Sequence, residues 1–405
     1  MTNRPHCPRK SPNRWPERLV AGLAIVLALG AAAAAQERGP TPISREDLLA
    51  AVGRLGDLDY DTRMRAGRAI RRAPEQLAVP ALLEAVREHA DGYIRFKALV
   101  LLTGFADPRT VDAMTDALDS PNDRLREVAY GYFEHHPAPA LAPRLLAALD
   151  RETGEFVRPS LVRALAPLAA ANPAVRDALL RDAGRGVDYF RGAVIEALGD
   201  YGVAAATPRL IDIARLDGPL QDDAVLALGK LGDKVALATL AELQRTGSPV
   251  LQPSLAAAFC LMGQNCSSHL GFLQKTLGFA EDFPGYQDLL RAAAAGLGAI
   301  GARGGVEAVG MLLDIGVPSE DPVRAPVALA LGLVALRDTA TLLKVLEGRQ
   351  DRDKAVVLIA EGFDMLEEDL EEERFFVAVR RTYWAAPEGS ATRALCEQLI
   401  TKLDF

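Results

Sequence analysis

Arg191-Gly-Ala-Val-Ile-Glu-Ala-Leu-Gly-Asp-Tyr-Gly202 and Gln221-Asp-Asp-Ala-Val-Leu-Ala-Leu-Gly-Lys-Leu-Gly-Asp233 follow one pattern, and that pattern decides the fold. Each opens on a long polar side chain. An aliphatic or small residue follows three places on (Val194, Ala224). An apolar pair comes at six and seven (Ala197-Leu198, Ala227-Leu228), then a glycine (Gly199, Gly229). This is helical spacing with one apolar face. Outward from these copies, the opening position recurs as Arg63, Arg95, Arg126, Arg158, Gln252, Arg291, Arg324 and Arg352, at intervals of about 32 residues. A fixed period of this length means helical hairpins stacked into a solenoid, in which each unit packs only on its neighbours.

The composition agrees. Of 405 residues 49% are hydrophobic and only 6% aromatic, with alanine and leucine dominant. Small, unbranched side chains suit closely packed helices. No stretch alternates with period two, so no strands are expected. The turns between helices carry breakers: Asp107-Pro108, Ser120-Pro121, Asn172-Pro173, Gly218-Pro219, Gly232-Asp233 and Ser248-Pro249. Ser44 should cap a first helix starting at Arg45, with Asp47 as its capping partner.

The N-terminus reads as a signal peptide over residues 1–35. Arg4, Arg9, Lys10, Arg14 and Arg18 lead into the apolar run Leu19 to Ala35, and Ala33-Ala34-Ala35 precedes Gln36 as a small-residue cleavage site. The alternative is an uncleaved membrane anchor over residues 19–35, a run at the short limit for a span. Cys7 lies too early for a lipid attachment site. Residues 36–43 read as a polar linker and 44–405 as the solenoid. Without residues 1–35, which hold five basic side chains and Glu17, 41 Lys and Arg face 53 Asp and Glu, a net charge near −12. Such a surface is unsuited to nucleic acid, which needs basic groups to neutralise phosphates. The expected location is periplasmic or secreted.

Three cysteines remain. Cys260 closes one expected helix and Cys266 opens the next. A disulfide between them would staple the turn, in an exported compartment that permits it; the alternative is two small buried hydrophobes. Cys396 reads as a core residue on a helix face. No second Cys pair or His pair accompanies them, so a zinc site is not expected.

The pattern of residues 191–233 resembles the HEAT-repeat family, in particular the short bacterial repeats also seen in phycobilisome lyases, whose motif runs roughly V-R-x-x-A-x-x-A-L-G-x-L-G-D. The resemblance covers residues 45–405. It is strong at 191–233, 291–301 and 324–332, weaker at 63–70 and 126–133, and degenerate after 352. It implies an all-α superhelix of about ten or eleven hairpins, whose second helices line a concave surface that holds a protein or peptide. It also implies that the recurrent arginine is structural, bonding carbonyls at the hairpin turn or an acid of the next unit. A column of arginines binding an anionic ligand is the other reading.

Several residues stand outside the repeat. The interval from Gln252 to Arg291 is 39 residues, and the surplus falls where Phe272, Phe279, Phe283 and Tyr286 cluster around Phe283-Pro284-Gly285-Tyr286. Either an insertion projects there and binds, or the first helix of that hairpin is longer. Tyr93, Phe156 and Tyr189 each stand two places before a repeat arginine, and Tyr60 three before. They should occupy one rim, as partner contacts or as covers on the seam between repeats. The acidic run Glu367 to Glu373 reads as a first helical turn with a solvated face, or as an attractor for a basic partner.

Nothing in the sequence announces catalysis or a cofactor. Glu134-His135 and Glu88-His89 invert the His-Glu order of HEAT-like metal hydroxylases. His135-His136 close a helix, a favoured place for cations. Ser267-Ser268-His269 has no acid to orient it. The expectation is a monomeric, non-catalytic scaffold in the cell envelope. The alternatives are a HEAT-like lyase or enzyme-assembly chaperone, for which a polar, partly aromatic groove and a cytoplasmic chain are expected, or an anchored structural protein.

Overall fold

The computed structural model describes residues 41–283 and 285–405. The expected signal peptide, most of the linker and Pro284 lie outside the described residues. Twenty-two α-helices and no strand occur among the described residues. They pair into eleven hairpins: α1 (Arg45–Gly53) with α2 (Tyr60–Arg71), α3 (Glu75–Glu88) with α4 (Gly92–Leu102), α5 (Arg109–Ala117) with α6 (Asp123–His135), and α7 (Ala142–Leu149) with α8 (Arg158–Leu165). Next come α9 (Pro173–Asp182) with α10 (Asp188–Asp200), α11 (Thr207–Ala214) with α12 (Gln221–Leu231), and α13 (Leu237–Thr246) with α14 (Gln252–Leu261). The last four are α15 (Cys266–Asp282) with α16 (Gln287–Gly301), α17 (Val306–Gly316) with α18 (Arg324–Arg337), α19 (Thr339–Glu347) with α20 (Arg352–Leu366), and α21 (Asp369–Ala385) with α22 (Ala391–Lys402). No single described helix is long and apolar enough to cross a membrane.

Helix starts follow from short polar side chains that take up free backbone N–H groups. Ser44 accepts from the Asp47 N–H at 3.0 Å, Asp59 from Thr62 at 2.8 Å, Asp91 from Tyr93 at 2.8 Å and Asp338 from Thr341 at 3.0 Å. At the far end of α12, Gly232 takes the left-handed conformation, φ 68°, that ends the helix. Cys260 and Cys266 are joined across the turn from α14 to α15. Cys396 is buried in α22, and burial followed by the nearby Glu347 charge pushes its thiol up to about 11.

The even-numbered helices stack in order, and the motif glycine has a steric reason there. A Cβ on Gly199 would lie 2.8 Å from the Cα of Ala227, and one on Gly229 would lie 2.5 Å from the Cα of Ala258. The glycine of one unit therefore faces the alanine of the next, and neither position has room for a larger side chain. Helices that meet through such small residues approach closely and bury Val194, Leu198, Val225 and Leu228 completely.

The recurrent polar position bonds the turn. Arg95 donates to the Val86 carbonyl at 3.0 Å, Arg191 to Ala183 at 3.3 Å, Gln221 to Ala214 at 2.8 Å, Gln252 to Ser248 at 3.5 Å and Arg352 to Leu346 at 3.0 Å. These are mostly carbonyls at the end of the preceding helix, which lack intrahelical donors and attract cations. Arg63 donates to the Asp57 carbonyl at 2.7 Å. Arg126 and Arg324 bond Ser120 and Gly316 and add paired bonds to Glu152 and Glu361. Arg158 lies 3.7 Å over the Phe190 ring, and Arg291 pairs with Asp288. Where the position bonds the turn, glutamine serves in place of arginine because one donated hydrogen bond is enough.

The last hairpin departs from the array. α22 stacks on α19 and α20, while α21 turns across the interior and touches α4, α6 and α18. The acidic run therefore does not form the solvated face expected of it. Asp369, Glu371 and Glu372 do open α21, but Glu371 and Glu373 are 5% and 1% exposed. The desolvation cost is offset because each is bonded from another helix: Glu371 to His135 at 2.6 Å and Glu373 to Arg71 at 2.6 Å. The C-terminus adds Arg68 with Asp404, and Arg72 donating to the Phe405 carbonyl at 3.1 Å. Within residues 41–405 the end of the array meets its beginning.

Candidate functional site: an acidic, aromatic interior cavity

The even-numbered helices α2 to α12 and the corner between α20 and α21 line a partly open cavity of two adjoining lobes, of about 680 and about 1080 Å³. Phe96, Glu127, Phe156, Glu367 and Asp369 line both. Nine acidic and two basic side chains line the smaller lobe, and eight and five line the larger. With three acids shared, fourteen carboxylates face seven cations. A concave wall of one sign focuses its field and gathers ions of the other sign.

Several carboxylates bear the mark of that crowding. Burial, then the neighbouring Glu196 and Asp222, push Asp223 up to about 6. Burial, then Asp369, push Glu372 up to about 7. Burial and Asp123 raise Glu127. Among the described residues, neither Asp223 nor Glu372 has a basic side chain within ion-pair distance.

Aromatic rings stand among these acids. Phe156 and Tyr189 are 74% and 53% exposed, with ring centres 6.2 Å apart in an edge-to-face arrangement. Tyr60 is exposed in the larger lobe, and Tyr93 is half-buried against Phe96 at 5.8 Å. The rim aromatics singled out by spacing thus all reach the cavity wall or its edge. Phe279, Phe283 and Tyr286 do not. They cluster, exposed, around the turn from α15 to α16, with ring centres 4.8 and 5.0 Å from Phe279. The surplus residues there lengthen α15 to 17 residues.

The cavity floor is a charged network that no local motif announces. Glu134 at the end of α6 accepts from Arg163 at 2.9 Å and from the Tyr201 hydroxyl at 2.6 Å. Arg163 also bonds Asp200 at 3.2 Å, and Lys230 reaches Asp200 at 2.7 Å. Arg337 lies 3.8 Å from both Glu134 and Glu371 and 3.5 Å from Glu368. Burial works against ionisation of Glu371, but the His135 hydrogen bond and the His135, Arg337 and Arg374 charges hold it down to about 2.

Glu134, His135 and Glu371 present ligand atoms within 4.8 Å of one another. The charges around them argue against a metal ion. Arg163, Arg337 and Arg374 already balance these acids, and Arg374 sits 2.7 Å from the His135 ring nitrogen. A divalent cation would enter among three guanidinium groups.

The fold defines an α-solenoid whose inner helices line this cavity. Residues 46–134 match the family model described as HEAT repeats. That match falls on the first three hairpins, where the motif is weaker by eye than in the central units. No curated protein matches the chain. Among solved structures, the complex of CpcE and CpcF of phycocyanin lyase from Nostoc sp. PCC7120 is similar at 18% identity, over 82% of this chain and 97% of that one, with a TM-score of 0.24. Kap121p bound to Pho4p is similar at 15% identity, over 95% of this chain and 49% of that one, with a TM-score of 0.34. Kap121p alone gives 14%, 94%, 51% and 0.32.

Proposed function

We propose that the protein is an exported, non-catalytic scaffold that holds a cationic segment of a protein partner in its interior cavity. The observation that carries this reading is the lining itself, twice as many carboxylates as cations around the exposed Phe156–Tyr189 pair. Carboxylates attract an ammonium or guanidinium group, and aromatic faces hold it in place. Its two lobes, of about 680 and about 1080 Å³, have the volume for several side chains of one segment.

A fluorescent peptide alternating lysine and alanine is expected to bind, and one alternating glutamate and alanine is not. Asp223→Asn with Glu196→Gln should weaken binding about tenfold, or about 1.4 kcal/mol. The exposed outer pair Asp112→Asn with Glu307→Gln should leave it unchanged. Because Asp223 and Glu372 titrate near 6 and 7, binding should weaken as pH falls from about 8 to about 5 and these groups become neutral. Equal losses from the cavity and outer substitutions would mean diffuse attraction to an acidic protein and would sink the reading. The envelope location rests on residues 1–35; N-terminal sequencing of the exported product should begin at Gln36, and an intact Met1 would overturn cleavage.

A polar, partly aromatic cavity also suits the lyase or assembly-chaperone reading. The three cysteines beyond Cys7 do not offer a ready nucleophile for it, since Cys260 and Cys266 are bonded and Cys396 is buried.

A further inference from the structure

The seam where the last hairpin meets the first is built unlike the joints inside the array. Elsewhere neighbouring hairpins share buried Ala, Val and Leu side chains. These fall into two clusters, one from Leu48 to Phe259 and the other from Ala256 to Phe405, which interleave only along α14. They do not merge again at the seam. Phe375, Phe376 and Val379 of α21 belong to the second cluster; Leu370 packs on the first, Val377 lies beside Gly104, and Arg71 lies 5.0 Å over the Phe376 ring.

Beside these few apolar contacts, what joins α21 to the early helices is charge. Asp369 pairs with Lys97 on α4, Glu371 with His135 on α6, and Glu373 with Arg71 on α2. Arg374 pairs with Glu371 from the same helix and lies against the His135 ring. Asp404 pairs with Arg68, and the Phe405 carbonyl accepts from Arg72. Successive odd positions of one helix thus reach three different helices. The connection back to the array is short: Glu367, in the left-handed conformation at φ 53°, and Glu368 separate α20 from α21.

We infer that α21 and the C-terminal turn form a charge-held latch, which closes the solenoid over its cavity and can release while the hairpins stay folded. The corner that the latch holds in place, Leu366 to Glu371, is one wall of the smaller lobe. Its release removes that wall and widens a partly open cavity into a groove. This inference does not depend on which partner the cavity takes, and its readouts need no ligand.

Ionic strength separates a charge-held seam from an apolar one, because salt screens the first and leaves the second intact or stronger. Small-angle X-ray scattering on the full chain is expected to show a larger radius of gyration at about 1 M than at about 0.05 M sodium chloride. Far-UV circular dichroism should not change. Asp369→Asn with Glu371→Gln and Glu373→Gln should give the expanded form at low salt, and amide exchange should accelerate in α21 but not in α20. Equal radii for the wild type and this variant at both salt concentrations would overturn the latch. If the variant loses helicity, the exchange of partners Arg71→Glu with Glu373→Arg decides. A compact, helical protein supports a charge pair at the seam, and an expanded one overturns it.

Discussion

Arg163→Ala is expected to cost about 3–5 kcal/mol, the range for breaking a buried ion pair from one side. The Arg163 side chain is 12% exposed and its acceptor Glu134 4%. Its removal leaves Glu134 with the Tyr201 hydroxyl and the more distant Arg337, and leaves Asp200 with Lys230 alone. The loss is thus chiefly the stranding of a carboxylate that is already desolvated. Adding Glu134→Gln should recover part of it, because the second charge goes too. Arg65→Ala, at a position 67% exposed, should stay within about 0.5 kcal/mol. Urea unfolding followed by circular dichroism, with amide exchange in α6, α8 and α10, checks all three. A loss below about 1 kcal/mol for Arg163→Ala would show that Arg337 substitutes for it.

Gly229→Val should destabilise by about 3 kcal/mol, the upper end of the overpacking range. Its Cβ would meet the Ala258 backbone at 2.5 Å. No side-chain rotation relieves that contact, so α12 and α14 must separate and give up buried contacts around Leu228 and Leu255. Gly310 on α17 is the control. A Cβ there meets nothing within 4 Å, so Gly310→Ala should be neutral or stabilising by up to about 1 kcal/mol through helix propensity. Melting temperatures of the two variants should move in opposite directions or differ widely. Similar small shifts would show that the motif glycine is not a spacing device.

The periodic part of this architecture is readable because it is local. Hairpin length, turn residues, the Ser44 cap and the two glutamines in the arginine column all follow from spacing within about 32 residues. The recurrent glycine is visible as a pattern too, although only the crossing of α10, α12 and α14 shows why alanine must face it. The interior is different. Glu371 meets His135 across 236 positions, and Glu373 meets Arg71 across 302. Helical spacing states which side of α21 these acids occupy but not what lies opposite, so a solvated face was the natural reading. Arg163, Glu134, Tyr201, Arg337 and Asp223 sit on separate helices or turns, and no short motif could have assembled them. The excess length after Gln252 was countable in advance, but its use as extra turns of α15 depends on packing beyond that hairpin.

The bond from Cys260 to Cys266 closes the turn where the two apolar clusters interleave. A single backbone cut between these two residues would therefore leave both parts of the chain covalently joined, so that they separate only after reduction.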